Sequence, residues 1–232
     1  MSDLGFVNYF LGIEVMQREQ GFFICQRRFA EEVLKKFGMS GSKMVGTPIV
    51  PGSKLDRDND GCLVDATHFK QLVGSLFYLT STRPDMMYIT GLLSRYMSRL
   101  TEMHFQVAKR ALRYLKGTVN FGIMYKHGDG DKFWGFTDID YAGDTEDNRS
   151  TSGYVFMLSS GAVSWSSKKQ SVVALSTTEA EYIAAASSAC QAMWLKNILK
   201  QLGYKEEGCI CIMCDNTSTI KLSRNPVLHG RS

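Results

Sequence analysis

The sequence predicts an α/β (α+β) protein with a mixed sheet in its C-terminal third, on three observations. Short alternating apolar runs flank turn residues near the start and again after residue 131, the pattern of half-buried strands. Between them, about 66–117, apolar residues recur at helical spacing. From 131 onward the order runs strand, strand, strand, helix, strand, helix, which favours helices packed on a mixed sheet.

The first elements are two apolar runs, 6–15 and 21–26, around the polar bend MQREQG, which reads as a hairpin. A helix follows in FAEEVLKKFG, with Phe29, Val33, Leu34 and Phe37 on one stripe and Gly38 as its stop. The stretch 40–65 contains Pro48, Pro51, Gly52 and DRDNDG, and reads as a loop. DRDNDG resembles the start of a calcium loop, but no glutamate stands at the twelfth position, so a solvated turn is expected.

In ATHFKQLVGSLFYLT, Phe69, Leu72, Val73, Leu76, Phe77 and Leu79 form a buried helical face, which Arg83-Pro84-Asp85 ends. ITGLLSRYMSRL is a second helix of this zone and TEMHFQVAKRALRYLKGT a third. The third carries Phe105, Ala108, Leu112 and Leu115 on its apolar side. Lys109, Arg113 and Lys116, near Arg110, form a polar face that is either solvated or in contact with phosphates.

After residue 131, WGFTDID is a strand and GYVFMLSSGAVSWSSK a hairpin around Ser159-Ser160-Gly161. SVVALS is a further short strand or strand end. TTEAEYIAAASSACQAMWLKNILKQLG is a long helix ended by Gly203, CICIMCD a strand, and NTSTIKLSRN the start of a helix.

Bulk properties narrow the function classes. The chain has 232 residues, 44% apolar and 22% charged, with net charge +4. That is an ordinary globular composition, and the mild basicity permits a nucleic-acid partner without requiring one. The start carries Asp3 and lacks a basic leader, so a secretory signal is not expected. No apolar run approaches the ~20 residues that span a bilayer, so no membrane partner and an intracellular location, cytoplasm or nucleus, are expected.

Six cysteines fit a reducing compartment. Cys25, Cys62 and Cys190 read as buried thiols. Cys209, Cys211 and Cys214 invite a zinc reading, but a strand would send Cys214 to the opposite face, and His229 has no second ligand at zinc-site spacing. Buried strand cysteines are the expectation.

The carboxylates carry the chemistry. Asp138 lies at the end of the first strand of the C-terminal region and Asp215 at the end of the strand after the long helix, where ligands gather in open α/β sheets. Glu181 lies in the first turns of that helix, so the three can converge. Converging carboxylates repel unless a cation neutralises them, and an all-oxygen set suits Mg²⁺, with Mn²⁺ as the alternative. Two such ions about 4 Å apart can activate water in phosphodiester cleavage. Glu179 has a structural reading instead, since Ser176-Thr-Thr-Glu179 fits a capping box. Asp140 and Asp144 read as turn residues.

At these residues the chain resembles copia-type retrotransposon polyproteins. The strings that carry the resemblance are FTDIDYAGDTEDNRSTSGYVF, VSWSSKKQSVVALSTTEAEYIA and CDNTSTIKLSRNPVLHGRS. Upstream, DLGFVNYFLGIEV, ICQRRFAEEVLKKFGM, LVGSLFYLTSTRPD and LRYLKGT match the same family's reverse transcriptase end. The matches cover essentially the whole chain in the family's order.

The resemblance implies three parts: the end of a reverse transcriptase palm with its hairpin, helix and linker over 1–65, thumb-like helices over 66–118, and a C-terminally truncated ribonuclease H-like domain over 131–232. It implies that Asp138, Glu181 and Asp215 are the catalytic metal ligands. Lys109, Arg113, Lys116, Lys168 and Lys169 are the expected contacts to nucleic acid. The expected partner is an RNA–DNA hybrid or duplex, together with the rest of the polyprotein, and no small-molecule substrate.

The family's polymerase signature, two adjacent aspartates, does not occur in the chain. The fourth ribonuclease H carboxylate would follow the string ending His229-Gly-Arg231-Ser232. The function expected from the resemblance is therefore cleavage of the RNA strand of hybrids without polymerisation. The alternative is a non-catalytic nucleic-acid-binding module or an inactive remnant. Arg110-Ala-Leu-Arg113 has the letters of an effector translocation motif, but it sits inside an apolar-striped helix and reads as coincidence.

Overall fold

The computed structural model describes residues 7–57, 60–128, 132–204 and 208–225. It divides into two compact units, Met1–His127 and Gly128–Ser232.

Unit 1 pairs a small sheet with a helical core. Its strands are β1 (Tyr9–Phe10), β2 (Ile13–Arg18), β3 (Gly21–Cys25) and β4 (Gly122–Lys126), in that spatial order and all antiparallel. The expected hairpin is β2–β3. The first apolar run does not stay one strand, because Leu11 and Gly12 take positive φ (46° and 75°) and fold β1 back on β2. β4 is an addition to the sequence reading. Its pairing depends on Gly21 at φ 142°, where a Cβ would lie 1.9 Å from the Tyr125 carbonyl oxygen.

The helices are α1 (Arg27–Lys36), α2 (Ala66–Leu79), α3 (Met87–Ser94) and α4 (Glu102–Gly117), with a 3₁₀ turn at Pro84–Met86 before α3. Val33 and Leu34 of α1, Phe69, Leu72, Val73, Leu76 and Leu79 of α2, and Ala108, Leu112 and Leu115 of α4 share one core. Phe77, expected on the buried face, is 43% exposed. Gly38 stops α1 at φ 66° as expected.

Between 40 and 65 the described residues form no helix, and α4 holds the segment in two places. Near one end, Arg110, Arg113 and Lys116 reach residues 42–47. Near the other, buried His104 accepts from the Thr101 N–H at Nδ1 (3.1 Å) and faces the Asp56 carbonyl through Nε2 (2.7 Å), so the proton sits on Nε2. His104 also stacks on Tyr96, whose hydroxyl donates to the Leu55 carbonyl at 2.8 Å. The DRDNDG turn lies partly outside the described residues.

Unit 2 contains β5 (Phe133–Asp140), β6 (Thr151–Leu158), β7 (Gly161–Lys169), α5 (Thr177–Gln201), β8 (Cys211–Met213) and α6 (Thr217–Arg224). The sheet order is β7-β6-β5-β8, antiparallel except for the parallel β5–β8 pair, so the sheet is mixed. The core sits where α5 crosses it, with Phe133, Phe156 and Ala192 buried together. Gly135 makes room for Phe156, since a Cβ there would meet that ring at 2.6 Å. With these strands and helices in both units, the fold is α+β.

SVVALS is not a strand. β7 ends at Lys169, and Val172, Val173 and Leu175 are exposed in a bend that delivers Ser176 to the N-cap of α5. The chain reverses there because Ser176 accepts from the Glu179 N–H, a local bond that competes with sheet pairing.

Candidate metal centre

The parallel β5–β8 pair brings the two aspartates to one edge. Phe136 lies opposite Met213, and Asp138 and Asp215 each follow two residues later, beyond the carboxyl end of β8. The start of α5 comes to the same edge, tied to α6 by a 3.0 Å bond from the Thr219 hydroxyl to the Thr178 carbonyl. Asn216 caps α6 by accepting from the Thr219 N–H, which fixes the turn that carries Asp215.

Glu181 is the buried member, 5% exposed, whereas Asp138 and Asp215 are exposed. One donor atom each from Glu181, Cys214 and Asp215 lie within 4.8 Å of one another. Asp138 stands outside this tightest set but acts on Glu181 through its charge. Burial above all, then the charges of Asp215 and Asp138, raises the Glu181 carboxyl above the ordinary glutamate value, and the Cys214 hydrogen bond offsets part of this. Among the described residues that thiol, at 3.9 Å from Oε2, is the only hydrogen-bond partner of the Glu181 carboxylate. A buried carboxylate flanked by like charges, with no cationic side chain against it among the described residues, is the arrangement a divalent ion relieves, and the donors fit one.

Glu179 is turned to another task. Its carboxylate accepts from the Leu175 N–H at 2.7 Å, so it caps the helix start. Cys214 was missed in the sequence because strand alternation was carried one residue too far. β8 ends at Met213, and the chain turns before Cys214 can take the opposite face. The other cysteines also differ from expectation. Cys62, Cys190, Cys209 and Cys211 are exposed, and of those expected to be buried only Cys25 is. Short β8 lies at a sheet edge, and Cys190 lies off the buried stripe of α5, so neither position encloses a thiol.

A reverse transcriptase (RNA-dependent DNA polymerase) family model matches residues 1–51. The chain is 41% identical over 225 residues, 97% of its length, to the retrovirus-related Pol polyprotein from transposon RE1 of Arabidopsis thaliana. It is 36% identical over 241 aligned positions, 100% of its length, to the corresponding polyprotein from transposon TNT 1-94 of Nicotiana tabacum. The chain belongs to the copia-type retrotransposon Pol polyproteins. It spans 15% and 18% of those two relatives. No solved structure matches it.

This copia-type chain is also 47% identical over 124 residues to secreted RxLR effector protein 161 of Plasmopara viticola, 53% of this chain and 87% of that one. The RxLR-type letters here lie within α4. Ala111 and Leu112 are buried, the Arg110 guanidinium donates to the Thr47 hydroxyl (2.9 Å), and Arg113 donates to the Lys43 carbonyl (2.8 Å).

The expected nucleic-acid contacts divide three ways. Lys109 lies 3.8 Å from Glu102 and over the Phe105 ring. Arg113 and Lys116 hold the chain's own 42–47 segment, Lys116 donating to the Ser42 carbonyl at 2.5 Å. Carbonyl partners leave their positive charge uncancelled, so α4 remains cationic while its donors are engaged. Lys169 pairs with buried Asp144 (2.5 Å) and with Asp147 (2.9 Å), which makes Asp144 an anchor for the 141–150 loop beyond its role in a turn. Lys168 is exposed, with no ion pair among the described residues.

Replacing Arg113 and Lys116 together by alanine is expected to speed amide exchange across 42–47. The effect should be about tenfold, the equivalent of one net hydrogen bond of ~1.4 kcal/mol. Unchanged exchange would show that those bonds do not hold the segment.

Among the described residues, no helix is long and apolar enough to cross a membrane.

Proposed function

We propose that unit 2 is a ribonuclease H-like domain that cleaves the RNA strand of RNA–DNA hybrids, with Asp138, Glu181 and Asp215 holding divalent ions. The observation that carries this reading is the buried Glu181 carboxylate, flanked by both aspartates at the sheet's carboxyl edge and, among the described residues, bonded only to a thiol. The antiparallel β5–β6–β7 meander, followed by α5 and a parallel β8, supports it as the topology expected of such a domain. Unit 1 is read as the end of the reverse transcriptase palm (1–65) and a thumb-like set of helices (66–118), working inside the cell with the rest of a polyprotein. The family model over 1–51 supports the first part.

Mg²⁺ or Mn²⁺ ions, when bound, supply Lewis-acid stabilisation and an activated water. The chain's own residues set the terms. Asp138 and Asp215 offer exposed carboxylates that reach the substrate side, and Glu181 anchors the site from within. Cys214, its thiol pushed up by burial and then by the three carboxylates despite the Asn216 N–H, keeps its proton and donates to Glu181. The cationic face of α4 attracts phosphates without reading sequence.

The test is cleavage of end-labelled RNA–DNA hybrid, duplex RNA and duplex DNA by the chain in each ion. Cutting is expected in the hybrid RNA strand alone, and faster in Mn²⁺. Mg²⁺ demands near-ideal oxygen geometry, whereas Mn²⁺ stands higher in affinity for such ligands. Hybrid binding without any cutting in either ion would leave the binding-module reading in place of the nuclease.

A further inference from the structure

We propose that the recess between α5 and the edge strand β7 binds a phosphate group through Lys168 and the hydroxyls of Tyr154, Ser166 and Ser187. Strand register builds its floor. Ser152 lies opposite Lys168 and Tyr154 opposite Ser166, so these four side chains share one face of the sheet. Ser187, Cys190 and Gln191, at helical spacing on α5, form the opposite wall. The recess is open on one side and has a volume of about 430 Å³, within the range of small-ligand sites, so a phosphate can enter with the sugar it is attached to.

The chemistry of the lining selects the ligand. Among the described residues the Lys168 ammonium and the Tyr154, Ser166 and Ser187 hydroxyls have no hydrogen-bond or ionic partner, so four unused donors face one space. No carboxylate is among the described residues that line it. The neighbouring lysine sharpens the point. Lys169 points to the other face and is neutralised by Asp144 and Asp147, while no acid among the described residues pairs with Lys168. An ammonium ringed by hydroxyls suits a tetrahedral oxyanion, whereas a planar carboxylate is better matched by an arginine fork. The inference stands whether or not the carboxylates at the β5–β8 edge hold a metal.

Cys190 supplies a reporter, because its exposed thiol lines the recess. Alkylation of the whole chain by N-ethylmaleimide, read peptide by peptide, measures Cys190 against the exposed Cys62, Cys209 and Cys211 as internal controls. Inorganic phosphate, a mononucleotide and a short oligonucleotide are the probes. Cys190 alone is expected to slow, by about tenfold once the probe reaches ten times its Kd. Lys168→Met, and separately the Ser166→Ala, Ser187→Ala pair, should remove the protection while the circular dichroism spectrum stays native.

Tighter protection by the oligonucleotide than by inorganic phosphate, both lost in Lys168→Met, assigns the ligand to a nucleic-acid backbone. Equal protection at equal phosphate concentration assigns it to free phosphate. Absence of protection by every probe, or protection unchanged in Lys168→Met, overturns the site.

Discussion

Replacing Arg83 by methionine is expected to destabilise unit 1 by about 3 kcal/mol, the lower end of what breaking a buried ion pair costs. Arg83 is 2% exposed and makes four bonds. Two go to the Asp85 carboxylate (2.9 and 2.6 Å), one to the Thr118 carbonyl (2.9 Å) and one to the Thr118 hydroxyl (2.6 Å). Its guanidinium also lies over the Tyr114 and Phe121 rings. Methionine fills much of the volume but satisfies none of the acceptors. The lower end applies because the Asp85 side chain keeps 32% of its surface in water. For a unit of this size the melting temperature should fall by about 10 °C.

The pH dependence should change form as well. Burial pushes Asp85 up, but the Arg83 hydrogen bonds and charge, with help from the Tyr114 hydroxyl, hold it below the ordinary aspartate value. The stability this gives is full above the unfolded value of about 3.9 and is lost as pH falls through the lower folded value. Without the guanidinium, burial is the main remaining influence, and the variant should instead lose stability as pH climbs past the ordinary aspartate range. A loss under about 1 kcal/mol in urea denaturation, with the acid limb unchanged, would mean the clamp is ornamental; that is less than the value of one net hydrogen bond to a charged group.

Glu181→Gln is expected to have opposite effects on the metal-free and metal-loaded protein. Because the folded Glu181 carboxyl is raised, its contribution is present below the unfolded glutamate value and is lost as pH rises through the folded one. Metal-free wild type should therefore weaken on going to neutral pH, and the glutamine variant should not. With cation at 100 times its Kd, wild type should gain about 2.7 kcal/mol by mass action and the variant little. Hybrid cleavage should drop by more than the roughly 100-fold that loss of an outer-shell metal partner costs. A variant that is no more stable without metal, and still stabilised by it, would remove Glu181 from the site.

The helices of unit 1 were legible because their apolar stripes coincide with buried faces. Leu72, Leu76 and Leu79 lie where periodicity puts them. Phe77 was misjudged because it lies at the stripe's margin, where spacing alone cannot separate a face from its flank. β4 carries only five residues and needs a partner distant in sequence, which no local pattern reports. At the candidate metal centre the approach of the three carboxylates to one edge was readable from strand ends and a helix start, and the placement of Glu179 from its capping position. Cys214 was not, because a side chain's direction just past a strand depends on the turn that follows. The basic face of α4 was visible as charge, but its engagement with 42–47 is tertiary and leaves no mark on spacing.

The parallel pairing of β5 with β8 has a kinetic consequence. All of β6, β7 and α5 lies between those strands in the chain, so the hairpins and the long helix can form by local closure while β8 must wait for a distant one. β8 contributes only three residues to the ladder, which gives its late docking little backbone reward. The acidic edge is therefore expected to assemble last and open first, and a cation held by Asp215 and Glu181 would fasten the final strand.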